Sequence, residues 1–303
     1  MEEEFFSYLK EKYGEVTIHR GKHLQYLGMV LEEREDGSMA VNMNAYYEKL
    51  AEMIPKLKGK TSRLPYAMSM HASESDEEEV NYLEYLSYVG AVNFLSTRTR
   101  PNLLYAMSRL AQQCSHPTLR DMKRVEKLFK HINGTVNQCI VFAPGGDLEL
   151  HAYVDASHNC YDDAKGHYGY AIFLGEGTAA WSTKSSKIKI VTQSSTETEY
   201  VGLNYLAREL IWARQLISDI GFPSTSASKV FEDNASTILL AKGQGRHEMT
   251  KHIAPRYHYV REQIANGSIY LEHKPTDEML ADILTKPLDE ASYNKFSRML
   301  MNC

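Results

Sequence analysis

From Leu148 onward the periodicity of the chain changes, and that change restricts the fold more than any other feature of its 303 residues. LELHAYVDAS alternates about apolar positions and reads as a strand, as do YGYAIFLG and TAAWSTK, with Gly175-Glu176-Gly177 turning between the last two. Residues 196–219 then read as one long helix and KVFEDN as a strand, and a further helix begins near Ala235. A helical stretch ends near Asn266-Gly267, SIYLEHK forms a final strand, and a last helix starts at Thr276 or Asp277, whose side chain can cap it. Successive strands followed by alternating helices and strands specify an α/β (α+β) fold, a five-stranded mixed sheet flanked by helices.

Upstream the signals are different. In residues 1–70, VTIHRG and LQYLGMVLEE read as two strands around Gly21, MAVNM as a third, and 45–57 as an amphipathic helix. HASESDEEEV (71–80) is acidic and poor in apolar groups, the composition of an unpacked linker or loop. From Tyr82 to His131 apolar residues return at helical spacing, with Pro101 and Pro117 dividing two or three helices. The expected divisions are therefore 1–70, 71–147 and 148–303.

Composition narrows the function classes. No apolar run approaches the roughly 18 residues of a membrane span, and MEEEFFSYLK is acidic where a secretory signal is basic and then apolar. Cys114, Cys139, Cys160 and Cys303 form no CxxC pair, so neither a zinc site nor a disulfide framework is expected. The net charge of −5 leaves nucleic-acid binding to local basic faces. The candidates are Arg120, Lys123, Arg124, Lys127 and Lys130 on one segment, and Lys184, Lys187 and Lys189 on another. Each segment equally fits a merely solvated surface.

Four carboxylates stand out. Asp155 interrupts the apolar strand HAYVDAS, Asp233 ends KVFED, Glu197 lies in the first turn of a helix in SSTETEY, and Asp282 in the first turns of the last helix in MLADILTK. Strand ends and helix starts meet at one edge of such sheets, where ligands bind. Asp233 also fits a helix cap and Glu197 a helix-dipole partner. Asp155 fits no such role, because an apolar strand gains nothing from a buried carboxylate. Converging carboxylates repel unless cations neutralise them, and all-oxygen ligands suit Mg²⁺ or Mn²⁺.

YVDAS, SSTETEY, EDNASTILLA, TKHIAPRYHYVRE and LADILTKPL occur here in the order found in copia-type ribonuclease H domains, and the chain from about Leu148 to its end resembles that domain of a copia-type retrotransposon polyprotein. LQYLGMVLE resembles the primer-gripping segment just after the polymerase catalytic turn, and SYVGAVNFLSTRTRPNLLYAMSRLAQQCSHPT resembles the connecting helical region. The resemblance implies an incomplete reverse-transcriptase palm in 1–70, a connection in 71–147 and a ribonuclease H-like domain in 148–303. It assigns Asp155, Glu197, Asp233 and Asp282 to two metal ions that cut the RNA strand of an RNA–DNA hybrid. It sets Thr196 and Asn234 beside the backbone of the nucleic acid, and Lys251, His252, Arg256, His258 and Arg261 on a basic helical face turned toward nucleic acid or onto the core. It suggests product release for His273, the rest of a reverse transcriptase as partner, and a cytoplasmic virus-like particle or the nucleus as location.

A full polymerase needs a Tyr-x-Asp-Asp turn. Tyr161-Asp162-Asp163 lacks the intervening residue and lies downstream of Asp155, so it is read as a decoy, and polymerase activity from this chain alone is not expected. Two readings remain: an active hybrid-specific ribonuclease, or a non-enzymatic retrotransposon fragment that at most binds nucleic acid. The carboxylates favour the first, the missing fingers and most of the palm the second.

Overall fold

A computed structural model describes residues 2–66, 78–146, 148–244 and 254–303. Most of the acidic run (71–77), together with Lys251 and His252, lies outside the described residues.

The chain begins with helix α1 (Glu2–Tyr13), strands β1 (His23–Tyr26), β2 (Met29–Glu33) and β3 (Met39–Asn42), and helix α2 (Asn44–Met53). LQYLGMVLEE proves to be a hairpin in itself. Tyr26 pairs with Met29 across Leu27-Gly28, whose φ angles of 49° and 80° suit a two-residue turn matched to strand twist. VTIHRG, expected as a strand, therefore lies outside the sheet. The helical block is α3 (Tyr82–Ser96), α4 (Leu104–Ala111) and α5 (Leu119–Asn133), the last started by a capping box between Thr118 and Asp121. It is followed by a strand the sequence did not announce, β4 (Ile140–Phe142), which pairs with β3 and completes a four-stranded sheet.

The second sheet holds β5 (Leu150–Ser157), β6 (Lys165–Leu174), β7 (Ala180–Val191), β8 (Ser228–Glu232) and β9 (Ile269–His273), in the order β7-β6-β5-β8-β9. β5 to β7 form an antiparallel meander, while β8 and β9 run parallel to β5. The expected mixed sheet flanked by helices is present. Its helices are α6 (Ser195–Asp219), α7 (Ala235–Ala241), α8 (Ala254–Ala265) and α9 (Glu290–Met301).

Alternation along β5 divides the core. Ala152, Val154 and Ala156 pack with Leu203, Leu206 and Leu210 of α6, whereas Tyr153 joins Phe173, Leu280, Ile283 and Phe296 on the other face. That second face is covered by a turn of 3₁₀ helix at Leu280–Leu284 and by α9. The expected last helix at Thr276 or Asp277 is instead two short 3₁₀ turns, and Asp282 sits in the second of them. Pro287 follows closely, and the true last helix starts only after Asp289, whose carboxylate caps it.

Packing crosses the expected boundary at 147/148. Leu104 of α4 belongs to the same buried cluster as Tyr153 and Leu280. Asn102 Nδ2 donates to Ser297 Oγ at 2.9 Å, and the Tyr293 hydroxyl lies 3.2 Å from His131 Nε2, all of these groups being buried. Arg100, fully buried, donates to the Thr135 carbonyl and hydroxyl at 3.0 and 2.8 Å and so fixes the end of α5.

Gly169 makes the covered face close. It stands opposite Asp155 in the β5–β6 register, and a Cβ there would lie 2.5 Å from Leu284 Cβ and 3.0 Å from the Leu284 carbonyl oxygen. Gly169→Ala must push the 280–285 segment off the sheet, at a cost of about 1–3 kcal/mol. Urea unfolding of the two proteins measures this, and equal midpoints would contradict the packing described.

Candidate metal centre

Parallel pairing of β5 with β8 builds the site. Tyr153 is the register partner of Phe231, and two residues further along each strand direction come Asp155 and Asp233. Both carboxylates thus leave the C-terminal end of adjacent parallel strands, the place where α/β sheets bind ligands. The first turns of α6 bring a third acid, and ligand oxygens of Asp155, Glu199 and Asp233 all lie within 4.8 Å of one another.

The third acid is not Glu197. Ser194 caps α6, accepting from the Glu197 backbone N–H at 3.2 Å, while Glu197 Oε2 turns back to accept from the Gln193 N–H at 2.8 Å. Two residues of α-helix rotate a side chain by about 200°, so Glu199 stands on the far side of the helix from this cap, against the sheet. The pattern of Ser194 followed three residues later by Glu197 is that of a capping box, a signal that could have separated the two acids in advance.

The 280–286 segment adds two charges. Lys286 Nζ lies 2.8 Å from Asp282 Oδ1 and 4.0 Å from Asp155 Oδ2, and Thr285 Oγ1 donates to Asp155 Oδ2. Thr276 Oγ1 donates to Asp233 Oδ2 at 2.8 Å. Glu199 Oε2 has no hydrogen-bond partner among the described residues. Burial pushes the Asp155 carboxyl above its ordinary range. Burial, followed by the repulsion of Asp155, Glu232 and Asp233, holds Glu199 well above it. Asp282 is pushed up to about 7 by burial and by Asp155, against the opposing pull of Lys286. Burial alone would lower the Lys286 ammonium, but Asp155 and Asp282 outweigh it and raise it. Clustered oxygen donors, one of them unpartnered, with a single ammonium between them, match a hard divalent cation.

The other expected residues are dispersed around this centre. Asn234 is the N-cap of α7, its side chain accepting from the Thr237 N–H, and the Thr196 carbonyl accepts from the Thr237 hydroxyl at 3.3 Å. His273 is exposed, with Nε2 3.1 Å from the Asp233 carbonyl oxygen. Arg256 is half-buried on α8, and its carbonyl accepts from Asn204 Nδ2 at 3.4 Å. Of the basic faces, Arg124 pairs with Asp121 and Lys187 with Asp163. Tyr161-Asp162-Asp163 is a structural loop. The Tyr161 hydroxyl meets His167 Nδ1 at 2.6 Å and accepts from Gln112 at 3.0 Å, and Asp163 binds Lys165 and Lys187.

No protein-family model matches the chain. Curated relatives do. The retrovirus-related Pol polyproteins from transposons RE1 and RE2 of Arabidopsis thaliana are 34% and 35% identical over 215 and 218 residues, 71% and 72% of this chain. That from transposon TNT 1-94 of Nicotiana tabacum is 29% identical over 285 residues, 91% of this chain. This chain is a homologue of retrotransposon Pol polyproteins. It spans 14%, 15% and 21% of the length of these Pol relatives. Among solved structures, the N-terminal ribonuclease H domain of a Mycobacterium tuberculosis protein matches at 13% identity and TM-score 0.35, covering 50% of this chain and 98% of that one. Ribonuclease H1 of Halobacterium salinarum matches at 16% and 0.34, covering 45% and 94%.

The raised carboxylates make a pH prediction for this Pol homologue. A folded acid with a raised pKa keeps its proton after the unfolded chain has lost it, so its contribution to stability is lost as pH climbs toward the folded pKa. His131 and His167, whose burial lowers them to about 4 and about 3, act oppositely but mainly below pH 6.5. In chelator, the melting temperature should therefore fall as pH climbs from about 6.5 through the value of about 7 to which Asp282 is raised, and millimolar Mg²⁺ should restore it there. A melting temperature that rises across this range in chelator would show that the carboxylates are not crowded as described.

Proposed function

We propose that this chain acts as a ribonuclease H of a copia-type retrotransposon, cutting the RNA strand of RNA–DNA hybrids within a reverse transcriptase polyprotein. The observation that carries this reading is the convergence of Asp155, Glu199 and Asp233, with Asp282 beside them, at the C-terminal edge of the mixed sheet. Homology to Pol polyproteins supports it, as do the motifs that contain these residues.

Asp155, Glu199, Asp233 and Asp282 are the residues that would hold two Mg²⁺ or Mn²⁺ ions. Bound there, the ions would supply an activated water and would stabilise the leaving oxygen of an in-line displacement. The protein's part is positional. Thr285 and Thr276 fix the carboxylates of Asp155 and Asp233, and Lys286 offsets negative charge between Asp155 and Asp282. Choice of the RNA strand would come from its 2′-hydroxyls, read near the half-buried Thr196 at the start of α6. His273, exposed with Nε2 near the Asp233 carbonyl oxygen, would take a part in product release. Residues 1–70 would be the end of a palm and 71–147 its connection, and the remainder of a reverse transcriptase is the expected partner. The virus-like particle or the nucleus is the setting this implies.

The test is a labelled RNA–DNA hybrid incubated with purified protein and Mg²⁺ or Mn²⁺. Cleavage should require the cation, and Asp155→Asn or Glu199→Gln should reduce it to background. Glu197→Gln should keep the activity and cost about 1–2 kcal/mol of stability, since this buried carboxylate holds the Gln193 N–H at the helix start. Cleavage in excess chelator, or full activity of Glu199→Gln, would remove the assignment. A well-folded wild-type protein that leaves the hybrid intact would favour the non-enzymatic reading.

A further inference from the structure

Strand alternation sets a fifth carboxylate behind the four. On β8, Phe231 faces the side covered by Leu280–Leu284, while Val230 faces α6. Glu232 follows on the α6 side, fully buried, one residue before Asp233. Its Oε1 accepts from the Asn234 N–H at 3.1 Å, but among the described residues its Oε2 has no hydrogen-bond partner. Glu199, also buried and on α6, has an unpartnered Oε2 among the described residues as well, and Glu232 is near enough to add to the burial and the Asp155 charge that raise Glu199. Among the described residues neither takes part in an ion pair. Two buried acids with orphaned oxygens on the apolar face beneath a helix are costly unless positive charge reaches them.

The oxygens of Glu232 are not among the three that lie within 4.8 Å of one another, so Glu232 is not a fourth direct member of that set. Mg²⁺ gives up its waters reluctantly and keeps several of them in protein sites. Groups that hold those waters change metal affinity about 10–100-fold. We infer that Glu232 is a positioning residue for the cation, binding a water of its shell from behind Glu199 and adding a further negative charge to the site. The inference rests on the divalent-cation reading of Asp155, Glu199 and Asp233.

The experiment is calorimetric titration of the full chain with Mn²⁺, alongside thermal melting in chelator. The wild-type protein is compared with Glu232→Gln and Glu232→Ser, and circular dichroism identifies the variants that fold. Weakening of Mn²⁺ affinity by about 10–100-fold in a folded variant, with melting in chelator unchanged or higher, is the expected result. Removal of a merely structural side chain would lower the melting temperature and leave affinity alone. Wild-type affinity in either folded variant overturns the role of Glu232 while leaving the cation reading intact. Failure of the wild-type protein itself to bind Mn²⁺ overturns both.

Discussion

Repulsion among carboxylates forced into one buried corner is the constraint on which this structure depends. Asp155 and Asp233 are brought together by the parallel pairing of β5 and β8, Glu199 by the docking of α6, and Asp282 by the turn that closes over the opposite face. None of these elements can be drawn apart cheaply, because each also carries core residues: Val154 and Val230 under α6, Tyr153 under Leu280. Apolar burial, at about 25 cal/mol per Å², therefore holds in place a group of charges that would separate if free. Lys286 relieves part of the strain, which explains why a lysine lies within reach of two aspartates at a strand end.

The same closure ties the sheet to the rest of the chain. The turn over Gly169 leads through Pro287 into α9, and α9 contacts the segment before α4 through Ser297 and Asn102 and the end of α5 through Tyr293 and His131. The C-terminal residue of the left-handed cap, Asn302, reaches both the Val141 and Gly177 carbonyls, joining β4 and the β6–β7 turn. The region expected as a separate connection is thus packed into the wall behind the site. Buried contacts thus run from α4 and α5 by way of α9 to the turn that carries Asp282.

Much of this was legible in the residues. The five strands around α6 followed from period and turn signals, because each strand carries its own alternation or apolar run. Asp155, Asp233 and Asp282 were found because they interrupt apolar patterns or follow them directly. Glu199 was missed because two acids two residues apart in SSTETEY look alike until the helix start is fixed, and only the cap on Gln193 settles which of them turns away. β4 is three residues long and finds its partner about 100 positions earlier, so no local signal marks it. The 3₁₀ turn around Asp282 was read as helix because LADIL has helical spacing, although Pro287 limits how far a helix could run. The buried demand of Glu232 is a tertiary fact, visible only once α6 is seen to cover it.

The central claim is that Asp155, Glu199 and Asp233, not Glu197, seat a divalent cation. Anomalous X-ray scattering from crystals of the full chain soaked in Mn²⁺ tests it most directly. The account predicts a manganese peak among the carboxylates of Asp155, Glu199 and Asp233, with Glu197 still capping α6. A peak on Glu197, or manganese bound only away from these strand ends, would contradict it.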